Sequence, residues 1–151
     1  MRRCLAFLGL LLAACGGPVE DEPAFPEVWV VEGNAPASLP YLIETARELA
    51  PCELIPSGRA SITYVPTMFY CGEVRASGCT YLADSHIQVM TGGVELVSVA
   101  ELVTAHELGH VAWDRCGKVE HLDHPREFYS WVVQVFDAGR ARYGLALQAQ
   151  R

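Results

Sequence analysis

The stretch SVAELVTAHELGHVAW, residues 98–113, contains the pattern that decides the fold, His-Glu-x-x-His. On a helix with 3.6 residues per turn, the imidazoles of His106 and His110 project from one face, close enough together to bind one metal ion. Glu107 is rotated about 100° from His106, so its carboxylate can reach a water on that metal without ligating the metal. The spacing therefore predicts an active-site helix that binds Zn2+ through neutral imidazoles and uses Glu107 as a general base for hydrolysis.

The residues around this motif predict where the helix begins and which side of it faces inward. Ser98 and Glu101 have the spacing of a capping box, in which the serine hydroxyl binds an unpaired N–H at the helix start. A stripe at helical spacing then combines apolar side chains with both histidines: Val99, Leu102, Val103, His106, His110 and Trp113. We expect this stripe to point the two imidazoles toward the interior of the domain.

The remaining patterns predict a single α+β domain with a small mixed sheet. Short β-rich runs predict strands at residues 28–31, 61–65 and 87–91, with a cysteine-bounded segment between the last two. Gly92 and Gly93 then turn the chain toward the active-site helix. No internal repeat or low-complexity tract interrupts this order.

Two further helices complete the predicted domain. A helix over residues 38–50, ended by Pro51, places five apolar side chains on one face: Leu39, Leu42, Ile43, Ala46 and Leu49. Pro125, in a first-turn position, opens a C-terminal helix. Its apolar stripe consists of Phe128, Trp131, Val132, Val135, Phe136 and Gly139.

The N-terminal residues resemble a bacterial lipoprotein signal. A basic start, Met1-Arg2-Arg3, precedes eleven apolar residues, too few to span a bilayer, which needs about 20. We expect cleavage after residues 1–14, lipid on Cys15, and a flexible tether over 15–27, rich in Gly, Pro and acidic residues, before a domain over 28–151. By resemblance to diderm lipoproteins, the lack of an Asp directly after Cys15 predicts the outer membrane of the cell envelope.

The charge of the chain restricts its partners. The formal net charge is −7, and loss of Arg2 and Arg3 with the signal takes it to −9. An acidic domain is not attracted to phosphate backbones or anionic lipid surfaces, so nucleic acid is excluded as an expected partner. We expect a monomer that meets a protein or peptide substrate and contacts the membrane only through its lipid anchor.

The cysteines agree with an exported domain. Four remain beyond Cys4 and Cys15, and an even number in an oxidising compartment predicts two disulfides, for which three connectivities exist. We favour Cys71 with Cys79, which flank a Gly-containing excursion, and hence Cys52 with Cys116. The competing role, a four-cysteine structural zinc site, is disfavoured because no C-x-x-C pair is present.

A hydrolytic zinc site needs a third protein ligand, and residues 120–127 offer several. His124, His121 and Glu127 are the candidates, while Glu120 and Asp123 are better interpreted as solvent-exposed. His121 has a second interpretation, shared with Tyr129, as a group that stabilises the substrate oxyanion. Two known arrangements fit poorly: the long metzincin pattern requires Gly and His where Trp113 and Cys116 stand, and thermolysin-like enzymes take a Glu slightly later than Glu127.

Residues 106–131, HELGHVAWDRCGKVEHLDHPREFYSW, resemble the SprT-like zinc peptidases. Members of that family carry His-Glu-x-x-His, a loop of about a dozen residues, and a third His that begins a His-x-x-Glu-aromatic run; residues 124–128 and the thirteen residues before His124 fit this description. The resemblance implies a minimal zincin-like domain with His106, His110 and His124 as ligands, Glu107 as base, and Glu127 hydrogen-bonded around the ligands. Intracellular members act on proteins around DNA, whereas this chain is acidic and lacks a basic extension, so only the chemistry is carried over.

These observations lead to one functional hypothesis, a lipid-anchored zinc endopeptidase of the cell envelope. We expect the strand before the metal helix, residues 87–91, to pair with extended substrate by edge addition. Two alternatives stay open, a non-catalytic zinc-binding or interaction lipoprotein and an amidase that acts on cell-wall peptides. Glu107 favours catalysis, because a structural zinc site has no need of a carboxylate beside an open metal position.

Overall fold

The computed structural model describes residues 23–92 and 97–151 as an α+β domain. The strands are β1 (Ala24–Phe25), β2 (Val28–Glu32), β3 (Ile55–Pro56), β4 (Arg59–Val65), β5 (Phe69–Cys71), β6 (Val74–Ala76), β7 (Gly78–Tyr81) and β8 (His86–Met90). The helices are α1 (Leu39–Glu48), α2 (Val97–Arg115) and α3 (Arg126–Ala149), with short 3-10 helices at Leu82–Asp84 and Val119–Asp123. The predicted signal, Cys15 and most of the predicted tether lie outside the described residues.

The central sheet is mixed, as predicted. Its order is β2-β4-β8-β7, with β2, β4 and β8 parallel and β7 antiparallel to β8. Alternate side chains of β4 and β8 are buried: Ala60, Ile62, Tyr64, Ile87 and Val89. This two-residue period is the pattern of a sheet that packs one face on a core.

The three helices pack on one another over that buried face. Two glycines permit close contact: a Cβ on Gly109 would lie 2.8 Å from the Trp131 ring, and one on Gly139 would lie 2.7 Å from a Leu42 methyl carbon. The core they enclose includes Leu42, Leu108, Phe128 and Val135. No described helix combines the length and apolarity that a membrane span requires.

The first part of the domain begins earlier than predicted. Ala24 and Phe25 form β1, which pairs with β3, and the Phe25 side chain is fully buried. They therefore belong to the folded domain and not to a flexible tether. The acidic, proline-rich composition around them concealed a single large apolar side chain that the core requires.

Two predictions about α2 were wrong. The helix begins at Val97, so Ser98 lies inside it, and the buried Glu101 carboxylate accepts a hydrogen bond from Ser38 and pairs with Arg140 at 3.4 Å instead of closing a capping box. Val99 and Leu102, expected to face inward, are exposed. The inward side instead carries small and polar residues such as Ala100, Thr104 and Ala105, because it packs on two other helices and a sheet.

The other predicted elements need smaller corrections. The first helix ends at Glu48, two residues before the predicted bound, and its Leu49 is exposed. The predicted strand at 87–91 is β8, which lies inside the sheet between β4 and β7 and so offers no free edge. Gly92 has a positive φ of 61°, as a turn requires, while Gly93 lies outside the described residues.

Both favoured disulfides are confirmed. Cys52 is bonded to Cys116 and ties the segment after α1 to the end of α2. Cys71 is bonded to Cys79 and ties the β5–β6 hairpin to β7. The first bond thus fixes the end of α2, and the second fixes the strand β7 that packs on it.

Candidate metal centre

Three histidines meet at one point. His106 and His110 come from successive turns of α2, and His124 comes from the connection to α3, where a left-handed backbone (φ 50°) turns the chain into that helix. The Nε2 atoms of His106 and His124 lie 3.1 Å apart, those of His106 and His110 3.1 Å apart, and those of His110 and His124 3.2 Å apart. The helix motif and the third histidine predicted by resemblance therefore form one cluster that could hold a metal ion.

The spacing of the three nitrogens fits a tetrahedral metal. With metal–nitrogen distances of about 2.1 Å, two ligands of a tetrahedron lie about 3.4 Å apart. The observed separations of 3.1–3.2 Å come within a few tenths of an ångström of that value. Three protein ligands leave a fourth position open, which is the arrangement of catalytic sites.

Burial keeps two of the imidazoles in the state that binds metal. It lowers the pKa of His106 to about 4 and that of His110 to about 3, with the neighbouring histidines adding to both shifts. Only a neutral imidazole has a free lone pair for a metal ion. At neutral pH both ligands from the helix are therefore ready to bind without losing a proton.

An apolar ring lies beneath the cluster. The fully buried Phe128 has its ring centroid 5.3 Å from that of His106, 4.9 Å from that of His110 and 5.6 Å from that of His124. Tyr129, half-exposed, stacks on His124 with a centroid separation of 5.8 Å. The aromatic pair at the start of α3 thus fixes the imidazoles from below and beside, which restricts their rotation.

Glu107 is buried on the side of α2 that faces β7. Its Oε2 accepts a hydrogen bond of 2.7 Å from the Thr80 hydroxyl, and a Cβ on Gly78 would lie only 2.2 Å from Oε1. Burial raises the pKa of Glu107 to about 7, and the Thr80 hydrogen bond opposes part of that rise. The carboxylate is therefore held in place by β7 and titrates near neutral pH.

His121 lies behind the cluster and is not a member of it. It is buried, and its Nδ1 is 2.8 Å from Nδ1 of His110, while its Nε2 is 4.0 Å from an Asp114 carboxylate oxygen. A His110 that uses Nε2 for a metal ion carries its proton on Nδ1, from which it can donate to Nδ1 of His121. His121 therefore contacts a candidate ligand from outside the three-histidine group, and its role at the substrate oxyanion stays a prediction.

The other candidates are distributed as follows. Glu127, in the first turn of α3, is exposed and stands outside the three-histidine group. Glu120 and Asp123 are exposed, as expected. Tyr129 lines the same cavity as His106 and Glu107.

Comparison with known proteins adds no name to this site. No protein-family model matches the chain. No curated protein and no solved structure matches it either. The likeness to SprT-like zinc peptidases therefore rests on residues 106–131 alone, and the function has to be argued from the geometry of the cluster.

A cleft runs through the site on both sides of Glu107. On one side, a cavity of about 290 Å³ is lined by the three histidines, His121, Leu122 and the Cys71–Cys79 region. On the other, a cavity of about 490 Å³ reaches between α2, α3 and the hairpin. Both are lined by Gly78, His106 and Glu107, so the reactive groups stand where the two cavities meet.

Sequence reasoning missed the β7 residues. Thr80 and Gly78 lie in the cysteine-bounded segment, for which no element was predicted. One signal was available: Gly72, with a positive φ of 61°, and Glu73 form a two-residue turn between β5 and β6, and Gly-x is a hairpin signature. That signal would have predicted the hairpin, but not the contacts of β7 with Glu107, which join residues far apart in the chain.

Proposed function

We propose that this protein is a zinc-dependent endopeptidase in which Glu107 is the general base. The observation that supports the proposal is that three imidazole nitrogens converge and that the buried Glu107 lines the same cavity, with its carboxylate hydrogen-bonded to Thr80. A purely structural metal site surrounds its ion with protein ligands and gains nothing from a free carboxylate next to it.

Zinc is the metal that the ligands favour. His106, His110 and His124 would hold it, because neutral imidazoles in a tetrahedral arrangement with one open position are typical of catalytic zinc. When bound, Zn2+ would lower the pKa of a water to about 7 and polarise the substrate carbonyl. His121 would support this set by accepting the Nδ1 proton of His110.

Glu107 has the position and the proton affinity that a general base needs. Thr80 fixes Oε2, which leaves Oε1 as the atom that accepts a proton during attack and returns it to the leaving amine. Burial raises the pKa of this carboxylate in the metal-free protein, so its proton affinity exceeds that of an exposed glutamate. Tyr129, at the rim of the cleft, is placed to donate a hydrogen bond to a developing oxyanion.

The sheet offers a way to hold an extended peptide. Within the described residues β7 pairs only with β8, so its outer edge has no strand partner. The strand runs directly past Glu107, because both Gly78 and Thr80 contact that side chain. A peptide added to this edge would carry its backbone across the cleft from one cavity to the other, and so would be cleaved internally.

The proposal places the domain in the cell envelope as a lipid-anchored monomer. The lipoprotein-like residues 1–15 support export, and two disulfides within a domain of this size suit an oxidising compartment. Substrates are then envelope or extracellular polypeptides, and nucleic acid plays no part.

The test is zinc content and peptide-library cleavage by the purified protein beside Glu107→Gln. Both proteins should bind about one zinc ion, and the variant should cleave about 10²- to 10⁴-fold more slowly, the scale of general-base loss. Stoichiometric zinc with no cleavage of any peptide by the parent would refute the enzyme and leave a zinc-binding lipoprotein. Cleavage confined to cell-wall peptides would make it an amidase, and zinc loss in Glu107→Gln would show that this residue is a ligand.

A further inference from the structure

The larger of the two cavities is an apolar pocket beside the reactive groups. Besides Gly78, His106 and Glu107, which it shares with the metal side of the cleft, its walls are mainly aliphatic. They come from two helices and from the segment that leads into β5: Leu102, Val103, Val132, Val133 and Met68. We name this space the α3 pocket.

Val132 belongs to the core, but three of the other pocket side chains are exposed and are not packed into it. Val133 is 50% exposed, Met68 43% and Leu102 40%, although they lie on three separate elements. Large apolar side chains that converge from separate elements on one concave surface mark a ligand site more often than scattered exposed ones do. The convergence beside Glu107 therefore points to a substrate group.

The size and charge of the pocket restrict that group. A volume of about 490 Å³ accommodates a large side chain together with adjoining backbone, but not a folded domain. Arg75 is the one side chain of fixed positive charge among the described lining residues, and it disfavours a lysine or arginine occupant. A large apolar side chain gains most, because it buries itself against aliphatic walls.

We propose that the α3 pocket selects a large apolar residue, aromatic or leucine, next to the bond to be cleaved. This inference rests on the proposed function, since it names the substrate class of that same site. The Cys71–Cys79 bond supports it, because it ties the hairpin that carries Arg75 and Ala76 to the strand that holds Glu107. The disulfide thus fixes the distance between the wall of the α3 pocket and the carboxylate of Glu107.

The experiment measures binding separately from cleavage. Zinc-loaded Glu107→Gln is titrated calorimetrically with capped peptides that differ at one position, Phe, Leu, Ala or Lys. Phe and Leu peptides should bind at least about tenfold more tightly than the Ala peptide, the usual scale for filling an apolar pocket. Val133→Trp, which fills the pocket, should bring the Phe-to-Ala ratio close to one.

Gln134→Trp is the matched control, since it adds the same ring to the adjacent, exposed position outside the pocket and should preserve the ratio. Leu102→Trp fills the pocket from α2, so the test does not depend on one variant. Equal binding of all peptides, preference for Lys, no binding of any peptide, or an unchanged ratio in both filled variants would overturn the pocket. Selective binding without cleavage by the parent would instead refute the proposed function and leave the pocket standing.

Discussion

The two walls of the cleft are built in different ways. The helical wall presents His106 and His110 from one regular helix, and His124 from the loop after it. The opposite wall presents Gly78 and Thr80 from the short strand β7, which is held by a disulfide and a hairpin. The first wall supplies the three candidate metal ligands, and the second positions Glu107, the proposed base, which itself belongs to the helix.

This difference shows that the placement of Glu107 depends on two elements, the helix α2 and the strand β7. The helix α2 determines the direction in which the Glu107 side chain leaves the backbone, since successive residues of a helix are rotated by about 100° around its axis. The strand β7 determines where its carboxylate lies, through the Thr80 hydrogen bond and the close approach of Gly78. Substitutions of the histidines on the helical wall should therefore weaken metal binding. Substitutions on the opposite wall, formed by β7 and called the strand wall below, should lower the rate of cleavage without weakening metal binding.

The largest expected effect is on the helical wall. His124→Ala removes one of three ligands and should abolish zinc binding at micromolar zinc, as measured by metal analysis after dialysis. His121→Ala leaves the three ligands in place but removes the acceptor for His110, so zinc affinity should fall by about 10- to 100-fold. Equal affinity in His121→Ala and the parent would contradict the role assigned to that histidine.

The next effect belongs to the strand wall. In Gly78→Ala the new methyl would lie 2.2 Å from Oε1 of Glu107, so the carboxylate must move, and cleavage should slow by roughly 10²-fold with zinc retained. Gly144→Ala is the control, because a Cβ there meets nothing within 4 Å and the helix should gain up to about 1 kcal/mol. Zinc loss in Gly78→Ala would show that the two walls are not separable.

The same contrast explains how much the sequence could predict. His106, Glu107 and His110 follow from local spacing on a helix, and the short loop limited the third ligand to a few residues. The choice of His124 over His121 depends on the backbone at residues 119–124, where a 3-10 helix and a left-handed residue send the two imidazoles to opposite sides of His110. Thr80 contacts Glu107 from 27 residues away, and no local pattern encodes such a contact.

The two disulfides should differ in what they stabilise. The Cys52–Cys116 pair closes a loop with a sequence separation of 64, and Cys71–Cys79 closes one of 8. On the chain-entropy estimate, replacing the first pair by alanines should lower the free energy of unfolding by about 4 kcal/mol, and replacing the second pair by about 2.5 kcal/mol. Urea denaturation measures both. Despite the smaller loss, the Cys71–Cys79 variant should show the larger fall in cleavage rate, and the reverse order would contradict the strand wall as support for the base.

The smallest effect is a pH dependence of the metal-free protein. Between pH 4.5 and 6.5 the unfolded chain protonates His106 and His110, whereas the folded chain, with pKa values of about 4 and about 3, does not, so stability falls as the pH is lowered. Glu107 acts in the opposite direction, because its pKa of about 7 lets the folded chain keep a proton that the unfolded chain has lost. The free energy of unfolding, measured by urea denaturation at several pH values, should therefore rise more steeply with pH in Glu107→Gln than in the parent. Equal dependence on pH in the two proteins would contradict these assignments.

The most direct test of the central claim is zinc K-edge X-ray absorption on the zinc-loaded protein. The spectrum should show three imidazole nitrogens at about 2.0–2.1 Å and one further oxygen ligand, with no sulfur shell because all four described cysteines are in disulfides. A spectrum with two imidazoles, with sulfur at about 2.3 Å, or with six oxygen-like ligands would contradict a three-histidine site with an open position beside Glu107.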